Sequence, residues 1–180
     1  VNSQLNYNVA DPFNNTDHGT GVIGELASNN NSWGTTGVAY GANLKTCGVY
    51  FGFPNPSWNI AGAITLSAFY LSPGDVMLLE QQWDYSGAGG YVPVEWYPHT
   101  SGQAQTLTAV YAAITNAVGN GISVVEAGGN GGVNTDNMTW YGDSGAVIVG
   151  AGGAYSGGTY PNGDLQKLWY SSYGSRFDVH

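Results

Sequence analysis

Apolar residues recur along this chain at two alternating spacings, and the alternation predicts an α/β domain. An amphipathic helix with one buried face is predicted over 18–28 from four residues at helical spacing, Val22, Ile23, Leu26 and Ala27. Two further helices are predicted, at 57–70 and 101–118. Short apolar runs typical of buried strands lie at 42–51, 75–82, 122–127 and 146–151, and the Gly- and Pro-punctuated stretch 83–99 predicts a loop. Because helices and strands alternate, we expect a mostly parallel sheet covered on both faces.

Composition and charge narrow the classes of partner. The chain has 180 residues, enough for a real core, and we treat 1–180 as one domain. Its net charge is −9 with only 3 lysines and arginines, which argues against nucleic acid or an anionic membrane as partner. No apolar run is long enough to span a membrane. The single cysteine, Cys47, cannot form an internal disulfide, and we expect it to be a small buried apolar residue. We expect the protein to be a monomer.

His18 opens the first predicted helix, in the stretch Asp17-His18-Gly19-Thr20-Gly21. At the first turn the positive end of the helix dipole disfavours the imidazolium form. A neutral histidine at a rigid helix end suits a general base near neutral pH. The alternative is a histidine that caps the helix or fills the core, and for an isolated histidine that alternative is the better one.

Asn130 follows the strand predicted over 122–127, in the segment Ala127-Gly128-Gly129-Asn130-Gly131. Acyl transfer to a serine places negative charge on the substrate oxygen, and a fixed side-chain amide can stabilise that charge. An asparagine between glycines is, taken alone, more often a turn residue.

Three segments together resemble the subtilisin-like serine proteases. The sequence HGTGVIGELASNNNSWGTTGVAYGA, from His18 to Ala42, resembles the segment around that family's histidine. Residues 127–131 are similar to its A-x-G-N-x-G segment, and 170–179 to its SSYG followed by a DV strand. The resemblance implies a subtilisin-like three-layer α/β/α fold with a mostly parallel central sheet, incomplete at both ends.

The resemblance also implies roles for residues. His18 falls on the family's general base and Asn130 on its oxyanion-hole asparagine. A peptide substrate would pair with residues 80–82 and pass 127–129, which are Glu80, Gln81, Gln82, Ala127, Gly128 and Gly129. The family has a Ser-Leu-Gly type of motif at 80–82, so the lining of the specificity pockets does not carry over. We expect Glu80 and Glu126 near the cleft, where they would favour basic substrate side chains.

Two members of the family's catalytic triad have no counterpart here. Nothing before His18 fits the orienting aspartate, and the chain stops before the position of the nucleophilic serine. We therefore expect an internal piece of a larger, secreted serine endopeptidase, inactive on its own. The alternative is a subtilase-like binding module that has lost its catalytic activity.

Local motifs raise four other possible kinds of site. Gly142-Asp143-Ser144-Gly145 is similar to the nucleophile motif of chymotrypsin-like proteases, but Ser144 leads into a predicted buried strand. The loop at 29–35 is similar to a subtilase calcium site, with Asn31 offering a side-chain oxygen and backbone carbonyls near Asn29, Trp33 and Thr35 offering others. A metal-free turn is the alternative. No cofactor for the chemistry is expected. The histidines share no zinc-ligand spacing, and a dinucleotide site on the glycines at 128–132 is poorly supported.

Overall fold

The structure is a computed structural model. It describes residues 3–5, 9, 11, 17–52, 54–85, 90–96, 104–138, 142–153 and 166–180. The chain divides into two compact units, Val1–Ser67 and Ala68–His180. None of the helices that the structure describes has the length and apolar character needed to cross a membrane.

The first helix, α1, spans Asp17–Ala27 and confirms the predicted helix. Its predicted apolar face is only half-buried, and none of the α1 residues is fully buried. The predicted apolar face is therefore the more buried side of α1, but it is less buried than expected. The carbonyls of Glu25 and Leu26 accept main-chain hydrogen bonds from Val38 and Ala39, which hold the following loop against the end of the helix.

The predicted strand at 42–51 is wrong, because its two halves pair with different partners. Strand β2, Lys45–Thr46, pairs in parallel with β1, Ser3–Gln4. Strand β3, Tyr50–Phe51, pairs antiparallel with β4, Ser57–Trp58. Cys47 lies between them and is half-buried, and this burial raises the pKa of its thiol.

Helix α2 spans Ile60–Tyr70, so the predicted start at Ser57 is wrong. Ser57 belongs to β4, and Asn59 takes the capping role because its side-chain oxygen accepts a hydrogen bond from the Gly62 N–H at 2.9 Å. Asparagine and serine are both good N-cap residues. Because Ser57 is paired with Phe51 in the β3–β4 sheet, Asn59 is the residue that caps the helix.

The second unit contains a parallel sheet that confirms the α/β class. Its strands are β5, Val76–Leu79; β8, Ser123–Ala127; and β9, Val147–Val149, in the order β5-β8-β9. Helix α3, Ala104–Gly119, packs on β8, with Ile114 buried and Tyr111 and Val118 half-buried along the predicted stripe. The predicted start of α3 near 101 lies outside the described residues. Met77, Val124 and Ile148 form the buried face of the sheet, whereas Val76 and Val147 on the other face are exposed.

A hairpin replaces much of the loop predicted at 83–99. Strand β6, Gln82–Tyr85, pairs antiparallel with β7, Gly90–Pro93. The hairpin contributes to a core cluster of Val92, Trp96, Val133 and Ile148, with Trp83, Tyr85, Met138 and Phe177 packed against it. Of the glycines and prolines that predicted a loop, Gly90 begins β7 and Pro93 ends it. Beyond β9, Val179 forms a single parallel bridge with Val149 where a strand was expected.

Candidate active site

The turn that follows β8 holds Asn130 at the carboxyl end of the parallel sheet. Gly128 N–H donates to the Val149 carbonyl at 2.8 Å, and the Gly129 carbonyl accepts from Ser172 N–H at 3.0 Å. Asn130 itself is exposed. The backbone on its N-terminal side is thus fixed by main-chain bonds, while the residue is open to solvent.

Gln82 contacts this turn directly. Its side-chain oxygen Oε1 accepts a hydrogen bond from the Asn130 N–H at 2.9 Å. The structure therefore brings together Gln82, predicted to bind substrate, and Asn130, predicted to stabilise the oxyanion. Gln82 is half-buried at the start of β6.

The glycines before Asn130 are required for close packing. A β-carbon on Gly128 would collide with the Phe177 ring, and one on Gly129 would lie 2.6 Å from the Tyr91 carbonyl oxygen. Gly129 also has a φ of +86°, a conformation that favours glycine. These contacts explain the glycines without a substrate, and the passage of a substrate side chain beside them stays a prediction.

The other predicted substrate-binding residues lie at strand ends. Glu80 and Gln81 follow β5 and are half-buried, and Gln81 Nε2 donates to the Glu80 carbonyl at 3.1 Å. Ala127 is the last residue of β8 and is also half-buried. The carboxyl ends of these two neighbouring parallel strands lie at one edge of the sheet, where ligands of open α/β sheets commonly bind.

His18 is the second residue of α1 and is exposed. Asp17 precedes it in the first helical turn, where a carboxylate is favoured by the helix dipole. His18 belongs to the unit Val1–Ser67 and Asn130 to the unit Ala68–His180. The cooperation of these two groups on one substrate stays a prediction.

A charge cluster lies beside the same strand, β8; Glu95, Glu126 and Arg176 are buried in it, and Asp143 and Asp178 are exposed at its edge. Glu126 is fully buried, and its Oε1 accepts a hydrogen bond from the Glu95 N–H at 2.8 Å. Arg176 Nε lies 3.4 Å from Glu95 Oε1, and Arg176 NH2 lies 2.9 Å from Asp143 Oδ1. Asp178 completes the set, 2.9 Å from Arg176 NH1. The expectation that Glu126 favours basic substrate side chains is therefore wrong, because its carboxylate is fully buried.

Burial shifts the pKa values of both glutamates upward. Loss of hydration raises the pKa of Glu126 well above 4.5, and the neighbouring Glu95 carboxylate raises it further. Burial also raises the pKa of Glu95, although its hydrogen bond to Ser144 and the charge of Arg176 act in the opposite direction. One guanidinium therefore lies beside two buried acids whose pKa values are both raised.

Ser144 belongs to this cluster and is 3% exposed. Its hydroxyl donates to the Glu95 carboxylate and accepts a hydrogen bond from Ala146 N–H at 3.2 Å. A serine enclosed in this way cannot reach a peptide carbonyl without displacing the core around it. The Gly-Asp-Ser-Gly motif is thus a structural feature, as the sequence context predicted.

The loop predicted to hold calcium has a compact local structure. Asn31 Oδ1 accepts from the Trp33 N–H at 3.4 Å, and Ser32 adopts a φ of +74°. Among the described residues, no group of three or more His, Cys, Asp and Glu side chains is arranged to hold a metal. A calcium site built on asparagine and carbonyl oxygens falls outside that test and stays a prediction.

Sequence reasoning missed the charge cluster and the contact between Gln82 and Asn130. A glutamate inside the apolar run 122–127 was a signal for a buried partner, and Arg176 is one of only 3 basic residues in the chain. The contact to Gln82 had no comparable signal, because it joins residues 48 positions apart.

Comparisons with known proteins support the fold. No family profile matches the sequence, and no curated protein matches it. Among solved structures, the chain is similar to the crystal structure of the nisin leader peptidase NisP from Lactococcus lactis, with a TM-score of 0.55 and 20% sequence identity. The match covers 88% of this chain and 45% of the peptidase chain, so this chain spans less than half of that protein's length. At this identity the likeness supports a subtilase-like fold, whereas activity has to be argued from the site.

Proposed function

We propose that this chain is part of a subtilisin-like serine endopeptidase that hydrolyses peptide bonds through an acyl-enzyme. The observation that carries the proposal is the exposed Asn130 on an anchored turn at the carboxyl end of a central parallel strand. A preorganised amide of this kind is what the developing oxyanion of acyl transfer requires. The likeness to the fold of a peptidase supports the same class.

In the proposed mechanism, His18 takes the proton from a nucleophilic serine and returns it to the leaving amine. The Asn130 side chain donates a hydrogen bond to the oxyanion while the tetrahedral intermediate exists. The nucleophile and the aspartate that orients His18 would come from segments outside these 180 residues. The 180-residue chain alone would then form no acyl-enzyme.

The substrate in this proposal is an extended peptide that lies along the strand ends at 80–82 and 127–129. The parent protease would act as a secreted monomer, with calcium at 29–35 as a structural ion and no cofactor in the chemistry. These features follow from the resemblance to the family.

The direct test is made on the complete protein encoded by the gene. We expect it to cleave a peptide library and to be labelled at a serine by a fluorophosphonate probe. The variant His18→Ala should lower kcat by about 10⁶-fold, a range that comes from measurements on subtilisin itself. The matched control Asn116→Ala, an exposed asparagine on α3, should leave kcat unchanged when compared with Asn130→Ala. Labelling of any serine within residues 1–180 of the isolated chain would contradict the proposal.

A second candidate function is a subtilase-like binding module without catalysis. It is favoured by Glu80-Gln81-Gln82, which replaces the Ser-Leu-Gly type of motif at the expected substrate edge. For this candidate, the complete protein would bind peptides while remaining unlabelled by the fluorophosphonate probe.

A further inference from the structure

We propose that Gln82 is a positioning residue for the oxyanion donor Asn130. This inference rests on the proposed function, since it concerns how the amide of that site is oriented. Gln82 Oε1 accepts the Asn130 N–H at 2.9 Å, so it fixes the residue from which the catalytic amide extends.

The strand that carries Gln82 is itself held against the same turn. In the β6–β7 hairpin, Gln82 lies opposite Pro93, and the neighbouring backbone of Tyr91 packs on Gly129 and Gly131. A β-carbon on Gly131 would collide with the Tyr91 backbone. The glutamine therefore has little freedom to move away from Asn130.

Ser172 connects the hairpin and the turn a second time. Its hydroxyl donates to the Tyr91 carbonyl at 2.7 Å, and its N–H donates to the Gly129 carbonyl at 3.0 Å. Ser172 is fully buried, which protects both bonds from competing water. Hairpin and turn thus form one rigid support, and Gln82 extends that support to Asn130.

The contact should act on the transition state more than on substrate binding. Oxyanion stabilisation depends on the position that the amide holds when negative charge develops, whereas an extended peptide binds mainly through other contacts. Without the Gln82 oxygen, the Asn130 main chain is no longer held at its N–H. The side-chain amide that extends from this main chain is then less firmly positioned. The expected result is a lower kcat with a nearly constant KM.

The test uses the complete, active protease. The variant Gln82→Met keeps the length of the side chain and removes the acceptor oxygen, and we expect kcat to fall about tenfold, the equivalent of one hydrogen bond. KM should change less than about twofold. The control Gln166→Ala removes an exposed glutamine whose main chain pairs with Gly153, and it should leave both constants unchanged.

Amide hydrogen exchange provides a readout that is independent of turnover. Exchange at the Asn130 N–H should accelerate in Gln82→Met and stay slow in Gln82→Glu, which keeps an acceptor oxygen. The Gly128 N–H, bonded to the Val149 carbonyl, should be unaffected in both and reports whether the variants remain folded. Unchanged exchange at Asn130 in Gln82→Met would overturn the inference.

A double variant separates failure of this inference from failure of the proposed function. Combined with Asn130→Ala, Gln82→Met should cause no further loss of kcat, because the positioned group is gone. If Asn130→Ala lowers kcat and Gln82→Met does not, the positioning role is refuted and the protease proposal stands. If Asn130→Ala leaves kcat unchanged, the proposed function fails together with the inference.

Discussion

Glu126 and Asn130 lie on the same strand and its following turn, yet their surroundings are opposite. Glu126 is fully buried, its carboxylate accepts a hydrogen bond from the Glu95 N–H, and Arg176 lies close to Glu95. Asn130 is exposed, and its main-chain N–H donates to Gln82. The comparison teaches that the role of a polar residue near the end of a strand depends on whether its side chain bonds within the protein or faces solvent. The Glu126 carboxylate is enclosed in the core, and Asn130 is open to solvent, as the proposed oxyanion role requires.

The largest expected effect is a loss of stability when the charge cluster around Glu126 is disrupted. Arg176→Met removes the cation that faces Glu95, Asp143 and Asp178, and it should lower the free energy of unfolding by about 3–5 kcal/mol. The cost arises because the buried Glu95 carboxylate is left without a compensating charge. Urea denaturation measures the change.

The control for this variant is Lys45→Met, which removes one positive charge from an exposed position. It should change the free energy of unfolding by less than about 0.5 kcal/mol. Equal losses in the two variants would show that net charge, and not the buried cluster, is responsible.

The next effect breaks the exposed side. Asn130→Ala should lower kcat of the complete protease by about 10²–10³-fold, a range for one oxyanion donor that was measured on subtilisin itself. The free energy of unfolding should change by less than about 0.5 kcal/mol, because the side chain is exposed. A large loss of stability with unchanged kcat would reverse the roles assigned to the two residues.

Ser144→Ala sharpens the comparison, since Ser144 belongs to a motif that looks catalytic. Removing its hydroxyl leaves the buried Glu95 carboxylate with one donor fewer, and this should cost about 1–3 kcal/mol of stability. Peptidase activity should be retained at temperatures where the variant is folded. Loss of all activity in a folded Ser144→Ala protein would contradict the assignment of Ser144 to the core.

The fold was predictable from the sequence wherever an element carries its own periodicity. Helix α1, the stripe on α3 and the strands β5, β8 and β9 follow directly from apolar spacing. The prediction failed where pairing partners decide the structure. Residues 42–51 are apolar enough for one strand, but they divide between two partners, and the β6–β7 hairpin forms where glycines and prolines suggested a loop.

The position of Asn130 in the fold was predictable for the same reason, whereas its role stays a prediction. The order of strand, glycines and asparagine placed Asn130 at a sheet end, as the structure has it. The apolar run around Glu126 signalled its burial, but its neighbours Glu95 and Arg176 could not be predicted, because they come from distant parts of the chain. The contact of Gln82 likewise requires the hairpin to be folded against the turn.

The smallest expected effect is a dependence of stability on pH. Burial raises the pKa values of Glu95 and Glu126 above their ordinary value of 4.5. The contribution of the two groups to the free energy of unfolding is therefore fully present below pH 4.5. It is lost as pH rises through the raised values and both carboxylates are forced to ionise. The other charged groups facing the pair are Arg176, Asp143 and Asp178.

We therefore expect the free energy of unfolding to be lower at pH 8 than at pH 5. The variant Glu126→Gln keeps the shape of the side chain without an ionisable group, and it should flatten this decline. Urea midpoints of both proteins across this range measure the difference. A decline of the same slope in the variant would assign the pH dependence to other groups.

The central proposal is that Asn130 and His18 act on one peptide carbonyl. The most direct measurement is a crystal structure of the complete protein with a peptidyl boronate, whose tetrahedral boron mimics the acyl-transfer intermediate. The account predicts that one boronate oxygen accepts a hydrogen bond from the Asn130 side-chain amide at about 2.7–3.1 Å, with the His18 imidazole beside the nucleophile. A boronate bound to a serine with neither residue in contact would contradict it.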